Sequence, residues 1–502
     1  MVGRGGWLWV SFAVLGACGD DDGPAGRADA AAAVDAAVTL DAAGEVDGGG
    51  EPRTVTGSDI RLHVSAAGEE MTPVDLSGAV IEILLDDGAG GTVRLPVTGG
   101  SDGTFSVDAV PAGLYMLRVN DDYFVTDRSA IDLGFAELGR AGAASATTSP
   151  TRLRWVVDGM DAWQVDDRLD FFAPNAGSSY LEMEDEASTP PLDPDTSINM
   201  AVDYTNATEP RLVDAAAGDV GYLLHLSLRG TDPAWVVTQT FEPAAFTMID
   251  GQRTRLAGSF QDVALDRSVD IDLRTSAFAA LTDSLSGGFT FEQQTHYSIY
   301  TSPYSIDRGD LGFIQLADYA APDLADRTLT IDYGHPFPAD WTPYASQDFL
   351  VLSRVDDAPF TFALGAIGAV DTVAGLSDQP ITVRLGPVGS PTVDGADATQ
   401  PSSAGTTPEI AWTAPAIGTP ELYHVHVRQV SESALHGLEV ASFTTPATRV
   451  RIPEGVLEVG ETYFLEIDAL FNPDVDLLAS PRRLASPRRT LSRRPTSTIV
   501  IE

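Results

Sequence analysis

Short segments in which every second residue is apolar recur along most of this chain, and they limit its fold more than any other feature. Tyr115, Leu117 and Val119 would share one face of a strand, because strand side chains alternate with a period of two. Turn residues separate such segments, and the chain contains 47 Gly and 32 Pro. Only residues 275–285 carry a helical stripe. The pattern predicts an all-β fold.

The length of 502 residues exceeds what one hydrophobic core usually supports, so we expect several domains. Hydrophobic residues make up 43% of the chain, enough to exclude a wholly disordered protein. We therefore predict a multidomain chain of several β-sandwiches in tandem, placed behind a disordered tether.

The charge balance is strongly acidic, with 73 Asp and Glu against 30 basic residues and a net charge of −43. Binding of nucleic acid needs clustered basic residues that neutralise phosphates. We therefore expect no nucleic-acid partner, and we attribute the charge to solubility.

The single cysteine of the chain, Cys18, lies directly behind a short apolar run at residues 7–15. One cysteine excludes an intramolecular disulfide and a thiolate zinc cage, and the run is too short to span a bilayer. Leu15-Gly16-Ala17-Cys18 resembles the lipobox of bacterial lipoprotein precursors. The resemblance implies a signal peptide at residues 1–17, cleavage after Ala17 and a lipid on Cys18. The alternative is an ordinary secretory signal with a chance cysteine.

Residues 18–54 combine the lipidated cysteine with an Ala-, Gly- and Asp-rich stretch that lacks aromatic residues. Such a composition buries too little apolar surface to offset its ordering entropy. We expect a disordered acidic tether, which together with the lipid would place the body outside the cytoplasm, at an outer membrane or cell surface. The membrane is thus an expected partner.

Residues 55–145 contain two strand candidates around a turn at Pro111 to Gly113. The pattern that runs from Gly103 through Phe105 to Tyr115 resembles the carboxypeptidase regulatory-like domain, a prealbumin-type β-sandwich that serves as an accessory module. A metallocarboxypeptidase would need an H-x-x-E pair and a downstream histidine. The pair at 436–439 has no such histidine and falls in a predicted loop, so no metal site is expected from it.

Residues 388–502 resemble a fibronectin type III domain. Trp412 lies in a candidate strand B, and Leu457, Gly460 and Tyr463 have the spacing of a tyrosine corner. Between strand F and the last strand, Thr498 to Ile501, we expect an Arg-rich F–G loop. Its six arginines would face solvent, anionic lipid, polysaccharide or the acidic body of the protein itself; they are Arg482, Arg483, Arg488, Arg489, Arg493 and Arg494.

Residues 150–385 resemble no family, and their strand candidates fit one large sandwich or two smaller ones. Exposed aromatic side chains here would offer a stacking surface for a sugar or a partner protein, and core packing is the alternative. The candidate binding residues are Tyr297, Tyr300, Tyr304 and Trp341. His424 and His426, without a third ligand, are interpreted as surface residues.

Two functional hypotheses remain. The first is a membrane-anchored surface lipoprotein that acts as a non-enzymatic binding, adhesion or scaffolding protein, with a cell-surface protein or polysaccharide as ligand. The second is an exported hydrolase with its catalytic part in residues 150–385, which could use two close carboxylates on a glycan. No catalytic residue and no cofactor is predicted.

Overall fold

The computed structural model describes residues 51–86, 92–182, 190–207, 210–303, 314–355, 358, 361–431, 434–483 and 488–502. Within these residues the chain is an all-β, multidomain protein, which confirms the predicted fold class. The predicted signal peptide, Ala17, Cys18 and nearly all of the tether lie outside the described residues.

Residues 53–138 form one β-sandwich. Its strands are β1 (Arg53–Ser58), β2 (Ile60–Ser65), β3 (Gly68–Pro73), β4 (Ile81–Asp86), β5 (Thr92–Val97), β6 (Thr104–Val110), β7 (Tyr115–Val119), β8 (Asp122–Thr126), β9 (Ala130–Asp132) and β10 (Ala136–Leu138). The sheet β6-β1-β9 packs against β4, β7 and β8. Leu117 and Val119 are buried together in this core, as their alternation predicted.

The middle region contains fourteen strands and three short α-helices in its described residues. They are β11 (Arg152–Asp158), β12 (Arg168–Ala173), β13 (Ser178–Glu182), β14 (Ser197–Asp203), β15 (Tyr222–Arg229), β16 (Ala234–Phe241), β17 (Arg253–Ser259), β18 (Gln261–Asp262), β19 (Arg267–Leu273), α1 (Thr275–Ala279), α2 (Thr282–Leu285), β20 (Gly288–Ser302), β21 (Ile314–Ala320), β22 (Arg327–Tyr333), β23 (Thr342–Val355), β24 (Phe362–Thr372) and α3 (Val373–Ser377).

Two hydrophobic cores share one sheet in this region. The sheet β14-β11-β17 packs on β12, β15 and β16 around Trp155. The two-stranded antiparallel sheet β19-β22 and the short helices pack on β20, β21, β23 and β24 around Phe349. The helical stripe at 275–285 is split into α1 and α2, which bury Phe278 and Leu285. Gly365 permits this contact, because a Cβ there would collide with the carbonyl oxygen of Leu285.

The C-terminal region forms a further sandwich. Its strands are β25 (Gly389–Val393), β26 (Ala396–Asp397), β27 (Ser402–Ala404), β28 (Glu409–Thr413), β29 (Leu422–Ser431), β30 (Ala434–Thr445), β31 (Arg449–Arg451), β32 (Thr462–Phe471), β33 (Thr490–Pro495) and β34 (Ile499–Ile501). The sheet β26-β25-β28-β31 packs on β29, β30 and β32 around Phe443. The backbone N–H of Glu458 donates to the hydroxyl of Tyr463 at 3.1 Å.

A single 19-stranded sheet runs through all of these sandwiches. Strand β33 pairs with β32 on one side and with β24 on the other. At the far edge of the C-terminal sandwich, β30 pairs in parallel with β8. Because backbone hydrogen bonds cross both boundaries, the sandwiches follow one another along the chain but are joined through the sheet.

The Arg-rich segment differs from the predicted loop. Residues 490–495 form β33, and Arg493 is buried there. Before this strand, Arg482 bonds to Asp59 at 2.8 Å and Arg483 bonds to Asp132 at 2.7 Å. The described part of the segment therefore meets the acidic body of the protein itself, one of the four expected surroundings, because the first sandwich brings carboxylates to it.

Candidate functional site

Two of the four predicted binding aromatics belong to the core. Tyr297 has no exposed surface in β20. Trp341 is buried as well, and its ring stacks on Phe337 with centroids 5.1 Å apart. The stacking-surface interpretation of these two residues is therefore corrected, since the second layer of the sandwich covers the sheet face that carries them.

The other two predicted aromatics differ from each other. Tyr300 is partly buried and packs on Tyr344 and Val370, with 5.8 Å between the two tyrosine centroids. Burial raises the pKa of the Tyr300 hydroxyl. Tyr304 lies outside the described residues. The Tyr300 ring therefore packs against neighbouring side chains and does not present a free face for stacking.

Large exposed aromatic side chains lie instead at the start of β20. Phe289 and Phe291 are 66% and 64% exposed. Phe291 meets Phe362 edge-on at 5.9 Å, and the guanidinium of Arg354 lies 5.8 Å from the Phe289 ring centre. These residues offer an exposed ring surface on the strand that also carries Tyr297 and Tyr300, two of the four predicted aromatics.

A cluster of histidines and charged side chains lies on one face of the C-terminal part of the sheet, which we call the His–Asp cluster. His424 and His426 share a face of β29 because they are two residues apart. Asp468 and Glu466 lie directly opposite them on β32, and Arg493 lies opposite Asp468 on β33. All five side chains are buried.

The guanidinium of Arg493 neutralises part of this cluster. Its Nε and Nη2 donate to the two carboxylate oxygens of Asp468 at 2.6 and 2.7 Å. Nη2 also lies 2.8 Å from Nε2 of His426. A guanidinium only donates, so Nε2 of His426 accepts and the proton of this ring sits on Nδ1. From Nδ1 it is donated to Glu439 at 2.9 Å.

The surroundings set the protonation of the cluster. Burial lowers the pKa of His424 to about 3, so this ring is neutral at physiological pH. Burial alone would raise the pKa of Asp468, but the charge and hydrogen bonds of Arg493 outweigh it and lower the pKa. Burial would also raise the pKa of Glu439, yet His426 and Arg428 lower it to about 2.

The sequence interpretation of the two histidines is corrected by this geometry. One ring nitrogen of His424, one of His426 and a carboxylate oxygen of Asp468 lie within 4.8 Å of one another, a grouping that could hold a metal ion. The H-x-x-E pair at 436–439 lies in β30 rather than in a loop, and it supplies Glu439. The signal that could have indicated the cluster is the E-x-D pattern of Glu466 and Asp468 in the strand that neighbours β29.

A second buried polar group lies in the middle region, on β20, β21 and β23. Asp318 accepts from the Ser298 hydroxyl at 2.8 Å and lies 3.5 Å from His296 and 3.7 Å from Arg168. Burial alone would raise the pKa of Asp318, but His296 and Arg168 lower it. For Asp348, burial raises the pKa to about 7 despite a 3.0 Å hydrogen bond from Ser346.

His225 is a further buried histidine with an acidic partner. Its Nε2 lies 3.0 Å from Asp167 and 3.4 Å from the Ser227 hydroxyl, and its Nδ1 lies 3.2 Å from Gln239. A hydrolytic triad needs the acid and the serine on opposite ring nitrogens. Here both approach the same nitrogen, so the arrangement fits a packed polar core rather than an activated nucleophile.

Comparison of the chain with protein-family models and with curated proteins finds no match. Solved structures give weak similarities. The TIE protein of Bacillus anthracis is 10% identical, with a TM-score of 0.13, and the similarity covers 60% of this chain and 45% of that one. Immunoglobulin domains 1–5 of Sidekick-1 are 10% identical, with a TM-score of 0.12 and coverage of 90% and 76%.

A tetra-tandem repeat from the extending region of a large adhesion protein is 12% identical, with a TM-score of 0.12 and coverage of 89% of this chain and 99% of that one. At TM-scores this low the chains do not superpose as wholes, so these similarities carry no inference about function. Among the described residues, no helix is long and apolar enough to cross a membrane.

Proposed function

We propose that this chain is an exported lipoprotein, anchored by a lipid on Cys18, whose tandem β-sandwiches act outside the cytoplasm as a non-enzymatic binding, adhesion or scaffolding body. One observation carries the proposal: the only cysteine among 502 residues stands at the position that a lipobox requires. Two or three acyl chains, at about 0.8 kcal/mol per buried methylene, would hold the body firmly at a membrane.

The build of the body supports a scaffolding or display role. Sheet pairing between β24 and β33, and between β30 and β8, joins the sandwiches through backbone hydrogen bonds. A body joined in this way moves less at its boundaries than domains on free linkers. We also propose that residues 55–145 are a carboxypeptidase regulatory-like module and residues 388–502 a fibronectin type III-like module. The hydrogen bond of Tyr463 supports the second assignment.

The surface that we propose for a cell-surface protein or polysaccharide is the exposed aromatic pair Phe289 and Phe291. Flat apolar rings contact sugar faces and partner side chains, and exposed ones are free to do so. Asp318 and Asp348 do not offer a glycan-hydrolysing pair at the surface, because both are buried in the sheet.

The anchor is tested by metabolic labelling with an alkyne fatty acid in a bacterial host. We expect label on the wild-type chain and on a Thr39→Ser control in the tether, and none on Cys18→Ser. The Cys18→Ser chain should also leave the membrane fraction. An unlabelled, soluble wild-type chain would refute the proposal and favour a diffusible protein.

The binding surface is tested separately with the double change Phe289→Ala and Phe291→Ala. Because both rings are mostly exposed, we expect the free energy of unfolding to change by less than about 1 kcal/mol. Adhesion to intact bacterial cells or to a polysaccharide array should fall. Unchanged adhesion, with Tyr300→Phe as the control on the same strand, would exclude this surface as the contact.

A further inference from the structure

The His–Asp cluster contains a buried ring nitrogen whose hydrogen-bonding capacity is not used. His424 is 3% exposed, and its Nε2 has no hydrogen-bond partner among the described residues. A buried polar atom without a partner is unfavourable by roughly 1–3 kcal/mol. The ring of His426 lies beside it, with the centroids 4.2 Å apart. This nitrogen is therefore available to bind a ligand.

His426 is oriented in the way that metal-binding histidines usually are. Its Nδ1–H donates to the Glu439 carboxylate at 2.9 Å, which fixes the tautomer and leaves the lone pair on Nε2. That nitrogen accepts from Nη2 of Arg493 at 2.8 Å, and a carboxylate oxygen of Asp468 lies 3.3 Å from it. Imidazole nitrogen and carboxylate oxygen together suit Zn²⁺ and its neighbours among the transition metals.

We propose that Nε2 of His424, Nε2 of His426 and a carboxylate oxygen of Asp468 bind a divalent transition metal of the Zn²⁺ type, with a fourth coordination position open to water. This site goes beyond the proposed display function and does not depend on it. Tetrahedral Zn²⁺ at about 2.0–2.2 Å from its ligands would hold them about 3.4 Å apart. One ring nitrogen of each histidine and a carboxylate oxygen of Asp468 now lie within 4.8 Å of one another, so a ligand set of this kind closes by movements of about 1.4 Å or less.

The charge of the cluster favours an added cation. Asp468, Glu466 and Glu439 face the two guanidiniums of Arg493 and Arg428, so the carboxylates outnumber the guanidiniums by one. Carboxylates buried at low dielectric attract a cation strongly unless another one neutralises them. The side chain of Glu439 is 28% exposed, so the cluster reaches the protein surface there.

The guanidinium of Arg493 competes with the metal ion for the ligand atoms of His426 and Asp468. Its Nη2 occupies the space between His426 and Asp468, so metal binding requires the guanidinium to move. Glu466 is placed to receive it, since its carboxylate already lies 3.4 Å from Nη1 of Arg493. The metal would thus exchange with the guanidinium on Asp468, and Arg493 would keep a carboxylate partner.

The site is tested by titrating the full chain, purified in detergent, with Zn²⁺ against a competing chelator. We expect one tightly bound Zn²⁺ per wild-type chain and per His436→Gln chain. His436 is the matched control, because it lies on β30 of the same sandwich and faces the carbonyl of Phe362. His424→Gln and Asp468→Asn should weaken binding at least about 100-fold. Equal binding by His424→Gln and wild type would overturn the proposal.

Two further measurements keep the test decisive if a buried variant fails to fold. Co²⁺ added to the wild-type chain should give the intense visible absorption of a four-coordinate site, and the weak absorption of a six-coordinate ion would overturn the proposal. The Arg493→Lys change keeps the positive charge but removes the two hydrogen bonds that the guanidinium donates to Asp468. The variant chain should therefore bind Zn²⁺ severalfold more tightly than wild type. Weaker binding by a folded Arg493→Lys chain would overturn the exchange with Arg493.

Discussion

Asp348 should make the protein less stable as the pH rises from about 4 to about 7. The carboxyl is 2% exposed, and its Oδ1 has no hydrogen-bond partner among the described residues. Burial raises its pKa from 3.8 to about 7, and the charge of Asp318 acts in the same direction. Between these two pKa values the folded state holds a proton that the unfolded state has released.

The magnitude follows from the shift of about three pKa units. At 1.36 kcal/mol per unit, the ionised carboxyl opposes folding by on the order of 4 kcal/mol above pH 7 and by nothing below pH 4. Asp348→Asn keeps a neutral polar group that can accept from Ser346. We therefore expect the variant to exceed wild type in stability by a few kcal/mol at pH 8 and to match it near pH 4.

The assay is urea unfolding, followed by tryptophan fluorescence at several pH values between 4 and 8, for wild type and Asp348→Asn. Asp318→Asn is the matched control, because this neighbouring carboxyl is held ionised by His296 and Arg168, which lower its pKa. Its loss should destabilise the protein at neutral pH by about 3–5 kcal/mol. If the free energy of unfolding varies with pH in the same way for wild type and Asp348→Asn, the raised pKa assigned to Asp348 is refuted.

Substitutions at two other positions test the buried polar structure. Arg493→Met leaves Asp468 and Glu466 without their main counter-charge, so we expect a loss of about 3–5 kcal/mol in the free energy of unfolding; a change below 1 kcal/mol would show that the guanidinium does not hold these carboxylates. Tyr297→Phe removes a buried hydroxyl that has no hydrogen-bond partner among the described residues, so stability should change by less than about 1 kcal/mol. Tyr297→Ala should lose about 3–5 kcal/mol, since it leaves a cavity in the core. Equal effects of the two Tyr297 changes in the same urea assay would contradict the core position of the ring.

Strand positions were largely predictable, because the signal for them is local. Tyr115, Leu117 and Val119 were predicted to share a face, and they are buried together in the first core. In the C-terminal region the predicted strand B holds Trp412, and β28 spans Glu409–Thr413. The alternation of apolar and polar residues is a property of neighbouring residues, so it can be recognised without knowing the partner strand.

Exposure was less predictable, because it depends on what covers each face. The same alternation places Tyr297 and Phe291 on β20, yet one is wholly buried and the other mostly exposed. His424 and His426 were interpreted as surface residues because the sequence does not show what covers their face of the strand. Their strand pattern says that they share a face, but only neighbouring strands and the segment above them make that face an interior.

The sequence by itself determined the alternating strands, the acidic character and the single cysteine at the lipobox position, since each of these is a property of adjacent residues or of composition. Tertiary structure alone decided that the sandwiches share one sheet through β24 and β33, and that Asp468 meets His424 and His426. Backbone hydrogen bonds between strand edges are nearly independent of side-chain identity, so no residue pattern indicates which edges pair. The side chains that such pairing brings together come from residues far apart in the chain, and their chemistry exists only once the fold has formed.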